Sequence, residues 1–154
     1  MSVPIVLDEW LFHDLLGENG LEKQRETFQF IYKLVDVCDR IVLLESSPFV
    51  LKFWDFVKKS GSEPKLRAIS QFLKTSILTN SLKTIKLGKD EIKPVPEHLI
   101  KLIPLSDHYL LQAHLKLKNS FIVTTDGGWD FKKLAKQKTI AIKKRDQFIA
   151  DYLK

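Results

Sequence analysis

Cysteine is nearly absent from this chain. Cys38 is the only one in 154 residues, which excludes an internal disulfide framework and a thiolate zinc site of the usual kind. Glycine is also sparse, and its six residues are scattered. No phosphate-cradling glycine loop and no Gly-x-Ser-x-Gly nucleophile elbow can be drawn from them. No apolar run approaches the roughly 20 residues that span a bilayer. Met1 to Leu7 carries no basic region and runs straight into Asp8 and Glu9, unlike a secretory signal. Internal repeats and low-complexity segments are missing too. These absences set the expectation of a cytoplasmic protein without membrane contact.

What is present describes an ordinary globule. Hydrophobic residues make up 44 % and charged residues 29 %, a balance that argues against disorder. The length suits a single domain over residues 1–154, able to bury about 70 % of its unfolded surface. The net charge of +6 favours polyanionic partners by long-range attraction. A lysine-rich solvated surface has the same balance, so charge alone does not choose.

Pro4-Ile-Val-Leu7, Arg40-Ile-Val-Leu-Leu44 and Phe121-Ile-Val-Thr-Thr125 are short continuous apolar runs, the pattern of strands covered on both faces. Thr139-Ile-Ala-Ile142 reads as a fourth strand, and the alternating Leu82–Leu87 as an edge strand. Helical spacing lies between them. Leu21 to Cys38 places Phe28, Ile31, Tyr32 and Val35 on one face, and Pro48 opens a helix with Val50, Leu51, Trp54 and Val57. A third helix carries Leu66, Ile69, Leu73 and Ile77, and a fourth runs from Ser106 to Leu117. Lys86 to Pro104 is irregular, with three prolines. This alternation predicts an α/β fold: a three-layer α/β/α sandwich around a mostly parallel sheet of four or five strands.

In such a sheet, crevices open where strands end at their carboxyl edge. Asp8 follows the first run and Asp126 the Phe121 run. Taken singly, Asp8 also suits a helix N-cap, and Asp126-Gly127 a turn. Asp107 suits the first turn of the Ser106 helix, with Ser106 as its N-cap. Its spacing to Leu110, Leu111 and His114 nevertheless aims it at the packed side, where a carboxylate needs a cation or donors.

Asp107-His-Tyr-Leu-Leu-Gln-Ala, followed at this separation by Phe121-Ile-Val-Thr-Thr-Asp126, resembles the signature of the PIN-domain ribonucleases. The opening Ile-Val-Leu-Asp8 is similar to that family's first strand and aspartate. The resemblance implies acids gathered at one edge of a parallel sheet, Mg²⁺ or Mn²⁺ as cofactor, and metal-dependent endoribonuclease activity on RNA phosphodiesters. It casts Asp8, Asp107 and Asp126 as catalytic metal ligands supported by Thr124. A small antitoxin-like protein and a second copy of the chain are further partners it implies.

The pattern departs from the family on the helix after the second strand, where a glutamate is usual. Counting from Ser47-Pro48 reaches Lys52 or Phe53, neither acidic. Glu45 is the nearest substitute at a strand end, with Asp130 a further acid on the other side. A pocket short of one acid would bind RNA with little or no cutting, which is the alternative function. Basic groups at Lys132, Lys133, Lys143, Lys144 and Arg145 are candidate contacts for a phosphate backbone. Trp129 is a candidate for stacking on bases, whereas Trp54 reads as core. The four histidines read as surface or boundary residues, and Cys38 as a small core or boundary residue. A receiver-like signalling domain is the rival from another class, with Asp8, Glu9 and Lys143 at the matching places. Glu45, however, stands where its phosphoacceptor aspartate is required. The Asp-x-Asp of the haloacid-dehalogenase phosphatases is absent, since Trp10 takes the third place.

Overall fold

A computed structural model describes residues 2–59, 63–125 and 127–154. The apolar runs become β1 (Pro4–Leu7) and β2 (Arg40–Leu44), followed by β3 (Thr84–Leu87), β4 (Phe121–Thr124) and β5 (Ile142–Lys144). They form one sheet in the order β3-β2-β1-β4-β5, and every pairing is parallel. Parallel neighbours require crossovers, and the helices supply them. These are α1 (Trp10–Leu15), α2 (Leu21–Asp36), α3 (Pro48–Lys59), α4 (Pro64–Leu73), α5 (His108–Lys116), α6 (Phe131–Leu134) and α7 (Arg145–Tyr152). Pro64 sits in the first turn of α4, and the Glu63 carboxylate accepts the Lys65 and Leu66 N–H groups.

Alternation along the strands divides the core in two. Ile5, Leu7, Ile41, Leu43 and Val123 face Leu11, Phe30, Phe53, Leu73 and Phe148 on one side. Val6, Val42, Leu44 and Ile122 face Leu110, Leu111, Leu99 and Leu134 on the other. Helices cover both faces, so the fold is a three-layer α/β/α sandwich around a five-stranded parallel sheet. Among the described residues, no helix is long and apolar enough to cross a membrane. In a receiver domain the third strand lies beside the first. Here β3 is an edge strand, two places from β1, and that rival reading is excluded.

Several local expectations are corrected. The buried face of α3 is Phe49, Phe53 and Phe56, while Leu51 is 61 % and Trp54 38 % exposed. The helix carries apolar groups nearly all round, so spacing alone cannot say which side meets the sheet. On α2 the buried positions are Thr27, Phe30, Ile31 and Leu34, and Tyr32 is exposed. The last strand begins at Ile142 rather than Thr139, and Cys38 is exposed. The N-cap position of α5 falls to Asp107, because a 3₁₀ turn over Leu105–Asp107 leads into the helix.

His114 is buried, not at the boundary. The Ala141 N–H donates to its Nε2 at 3.0 Å, and its Nδ1 lies 2.7 Å from Ser120 Oγ, which donates in turn to the Leu117 carbonyl. This network assigns the proton to Nδ1 and joins the end of α5 to the chain entering β5. Burial holds the His114 pKa below its ordinary value, against the opposing effect of a backbone hydrogen bond with Thr139. A histidine with a lowered folded pKa binds fewer protons folded than unfolded, so acidification favours unfolding. Urea denaturation should lose roughly 1 kcal/mol between pH 7 and pH 5 through this group. The His114→Leu variant, although less stable, should lose less over the same interval. An unchanged pH slope in the variant would assign the effect elsewhere.

Candidate active site at the carboxyl edge of the sheet

The strand order reverses direction between β1 and β4, where a crevice forms beyond the strand ends. Leu7 pairs with Val123, so the next residues, Asp8 and Thr124, are neighbours across the ladder. Thr124 Oγ1 donates to Asp8 Oδ2 at 3.1 Å, and the Glu9 N–H donates to Oδ1 at 2.6 Å. Both donors favour the carboxylate, yet the Asp8 pKa is raised. Burial is the main cause, and the charges of Asp107 and Glu9 add to it. Asp8 is therefore a carboxylate held where its negative charge is poorly compensated.

Asp107 reaches the same place from the opposite layer. Its Oδ2 accepts the Trp129 indole N–H at 3.0 Å. Tyr109, a residue that sequence reasoning passed over because tyrosine on a helix face usually signals packing, lies near enough for the charges of both acids to act on it. Its hydroxyl is buried and, among the described residues, has no hydrogen-bond partner. Its pKa is pushed well above the ordinary range, first by burial and then by the charges of Asp8, Glu9 and Asp107. An orphaned hydroxyl beside three acids is an unusual arrangement, since buried polar atoms nearly always find partners. Lys52 Nζ lies 3.6 Å from the Glu9 carboxylate, and Phe53 is core. The place where the resemblance has a glutamate thus offers a cation and a phenyl ring.

Of the expected ligands, Asp8 and Asp107 come together, with Thr124 in support. Asp126 lies outside the described residues. Glu45 and Asp130 do not join them. The Glu45 carboxylate crosses to the turn after β3 and accepts the Lys89 N–H at 3.1 Å. Asp130 caps α6, accepting the Lys133 N–H at 3.1 Å. Neither figures among the groups acting on Asp8. Among the described residues, no group of three or more His, Cys, Asp or Glu side chains is placed to hold a metal ion.

Two nucleic-acid contacts are corrected. Trp129 is only 6 % exposed, packed against Phe131 and donating to Asp107. It positions the acid and cannot stack on a base. The Arg145 side chain is 2 % exposed, with Nε 2.8 Å from Asp14 Oδ2 and Nη1 3.1 Å from Glu26. It is a structural cation. Lys132, Lys133, Lys143 and Lys144 are exposed, although Lys143 and Lys144 lie over the rings of Phe121 and Phe131. Comparison with protein-family models, with curated proteins and with solved structures finds no match to this chain.

Proposed function

We propose that this chain is a PIN-type endoribonuclease that hydrolyses RNA phosphodiester bonds at the crevice between β1 and β4. The observation that carries the reading is Asp8, buried with a raised pKa beside a second acid at the switch point of a parallel sheet. Asp8 and Asp107, with Asp126, would hold Mg²⁺ or Mn²⁺, hard cations that prefer carboxylate oxygens. Such an ion, when bound, polarises phosphoryl oxygens and lowers the pKa of an attacking water.

The protein's own groups do the positioning. Thr124 and the Glu9 N–H fix the two oxygens of Asp8, and the Trp129 indole fixes Asp107. The exposed Lys132, Lys133, Lys143 and Lys144 contribute a general positive field that draws in the phosphate backbone. On this reading the protein works in the cytoplasm, with RNA as substrate. A small antitoxin-like protein and a second copy of the chain are its further partners. Lys52 in place of an acid favours one second reading, an RNA-binding PIN-type module with weak or no turnover.

Incubation of labelled RNA with the protein and Mn²⁺ or Mg²⁺ tests the proposal. Cleavage that stops with EDTA and is lost in Asp107→Asn and Asp126→Asn is the expected result. Equal cleavage by parent and variants would mean a contaminating nuclease and overturn the assignment. Binding without cleavage would leave the module.

A further inference from the structure

Tyr109, Gln112 and Lys116 share one face of α5, because positions three and seven apart return to the same side of a helix. Across from them runs the chain from Lys89 to Pro96. The two walls enclose a depression of about 410 Å³ bounded by Ser46, Ser47, Lys89, Lys93 and Tyr109. Lys93, Pro94 and Gln112 also border a second, adjoining depression bounded by Glu91 and Lys116. Gln112 Nε2–H donates to the Lys93 carbonyl at 2.9 Å and ties the walls together. At one end stands Tyr109, whose buried hydroxyl lies within the influence of Asp8, Glu9 and Asp107.

Charge along this channel is unevenly committed. Glu45 and Glu91 are taken up by the N–H groups of Lys89 and Gly88. The ammonium groups of Lys89, Lys93 and Lys116 are exposed and have no ion-pair or hydrogen-bond partner among the described residues. On β5, by contrast, Lys143 and Lys144 already rest over aromatic rings. Three exposed ammonium groups, Lys89, Lys93 and Lys116, outnumber the two carboxylates, Glu45 and Glu91, along these walls and suit them to a polyanion. From Tyr109 to Lys116 the helix advances about 10 Å, room for about three nucleotides at a stacked rise of roughly 3.4 Å.

We infer that this channel is the path by which single-stranded RNA reaches the acidic crevice, with Lys93 and Lys116 on its phosphates and Tyr109 at the reacting end. The inference rests on the nuclease reading and adds the substrate's course. The half-buried Tyr109 ring offers a face for a base, while its hydroxyl is turned into the protein.

Fluorescence anisotropy with a labelled single-stranded oligoribonucleotide in EDTA reads binding without turnover. The Lys93→Ala/Lys116→Ala variant should bind about tenfold more weakly. Its salt dependence should fall by roughly 1.4 in slope, about 0.7 for each lost phosphate contact on a single strand. Tyr109→Ala, which removes the ring, should weaken binding a few-fold while Tyr109→Phe leaves it unchanged, and Lys143→Ala/Lys144→Ala should lose less than the channel pair. Unchanged binding by the channel variant overturns the path, as does a loss confined to the β5 pair. Either result leaves the nuclease reading standing if Mn²⁺-dependent cleavage persists in the parent. Binding that follows the channel in a parent that never cleaves supports the path while removing the nuclease.

Discussion

Replacing Asp8 with asparagine is expected to cut cleavage steeply while making the protein more stable. The two effects have one cause. Asp8 is buried among like charges, and its pKa is raised above that of an unfolded aspartate. A carboxyl with a raised folded pKa contributes stability that is full below the unfolded value, near pH 4, and is lost as pH rises through the folded value. At neutral pH the ionised side chain therefore opposes folding. Asparagine removes the charge and keeps one oxygen to accept from Glu9 or Thr124. In EDTA at pH 7.5, the variant should gain about 1 kcal/mol, a rise of roughly 2–4 °C in Tm, and the gain should shrink toward pH 4. Cleavage should fall on the order of 10²- to 10³-fold, the several kcal/mol that a held cation supplies in charge stabilisation. A gain in stability at the expense of activity is the usual signature of a strained functional group. If Asp8→Asn melts earlier than the parent at pH 7.5, the carboxylate is a structural anchor and the site loses its main support.

The largest loss of stability should come from Arg145→Met. The guanidinium is buried on Asp14, and it also meets Glu26, Asp146, Thr27 and the Lys23 carbonyl. Burial works against its charge, but Asp14, Glu26 and Asp146 outweigh that and hold its pKa above the ordinary value. Asp14 is itself 1 % exposed, so removing the arginine leaves a buried carboxylate with only the Asn19 amide and the Thr27 hydroxyl. Breaking such a pair costs roughly 3–5 kcal/mol, because the remaining ion is uncompensated. Melting should drop by about 10 °C or more. The Asp14→Leu/Arg145→Met double variant should recover most of the loss, since an apolar pair of similar volume leaves no stranded charge. Urea denaturation of the three variants decides it. A double variant as unstable as the single would show that shape, not charge, holds α1, α2 and α7 together.

The contrast between these two acids shows what can be learned before folding is known. Asp8 was legible because it directly follows a continuous apolar run, and such runs are strands wherever a sheet is covered on both sides. Asp14 was not, because an acid on an amphipathic helix carries no mark of the arginine, far along the chain, that neutralises it. Trp54 and Trp129 make the same point in opposite directions. One reads as core and is exposed, and the other reads as exposed and is buried. On α3, Phe49, Phe53 and Phe56 compete with Val50, Leu51, Trp54 and Val57 for the inward face, and only the sheet beneath them selects. Tyr109 escaped notice because its distinction is a missing partner, and a missing partner is a fact of three dimensions.

The amino-acid sequence by itself determined that strands alternate with helices, that β1, β2 and β4 are buried, and that Asp8 comes off the end of a strand. Burial on two faces writes a continuous apolar run into the chain, and nothing distant is needed to read it. The tertiary structure decided the strand order, and with it that Asp8 meets Thr124 and faces Asp107. It also decided that Arg145 is a core cation, and which lysines are left free. Those outcomes depend on groups remote in sequence sharing the same small volume, where desolvation and like charge act only once the chain has closed upon itself.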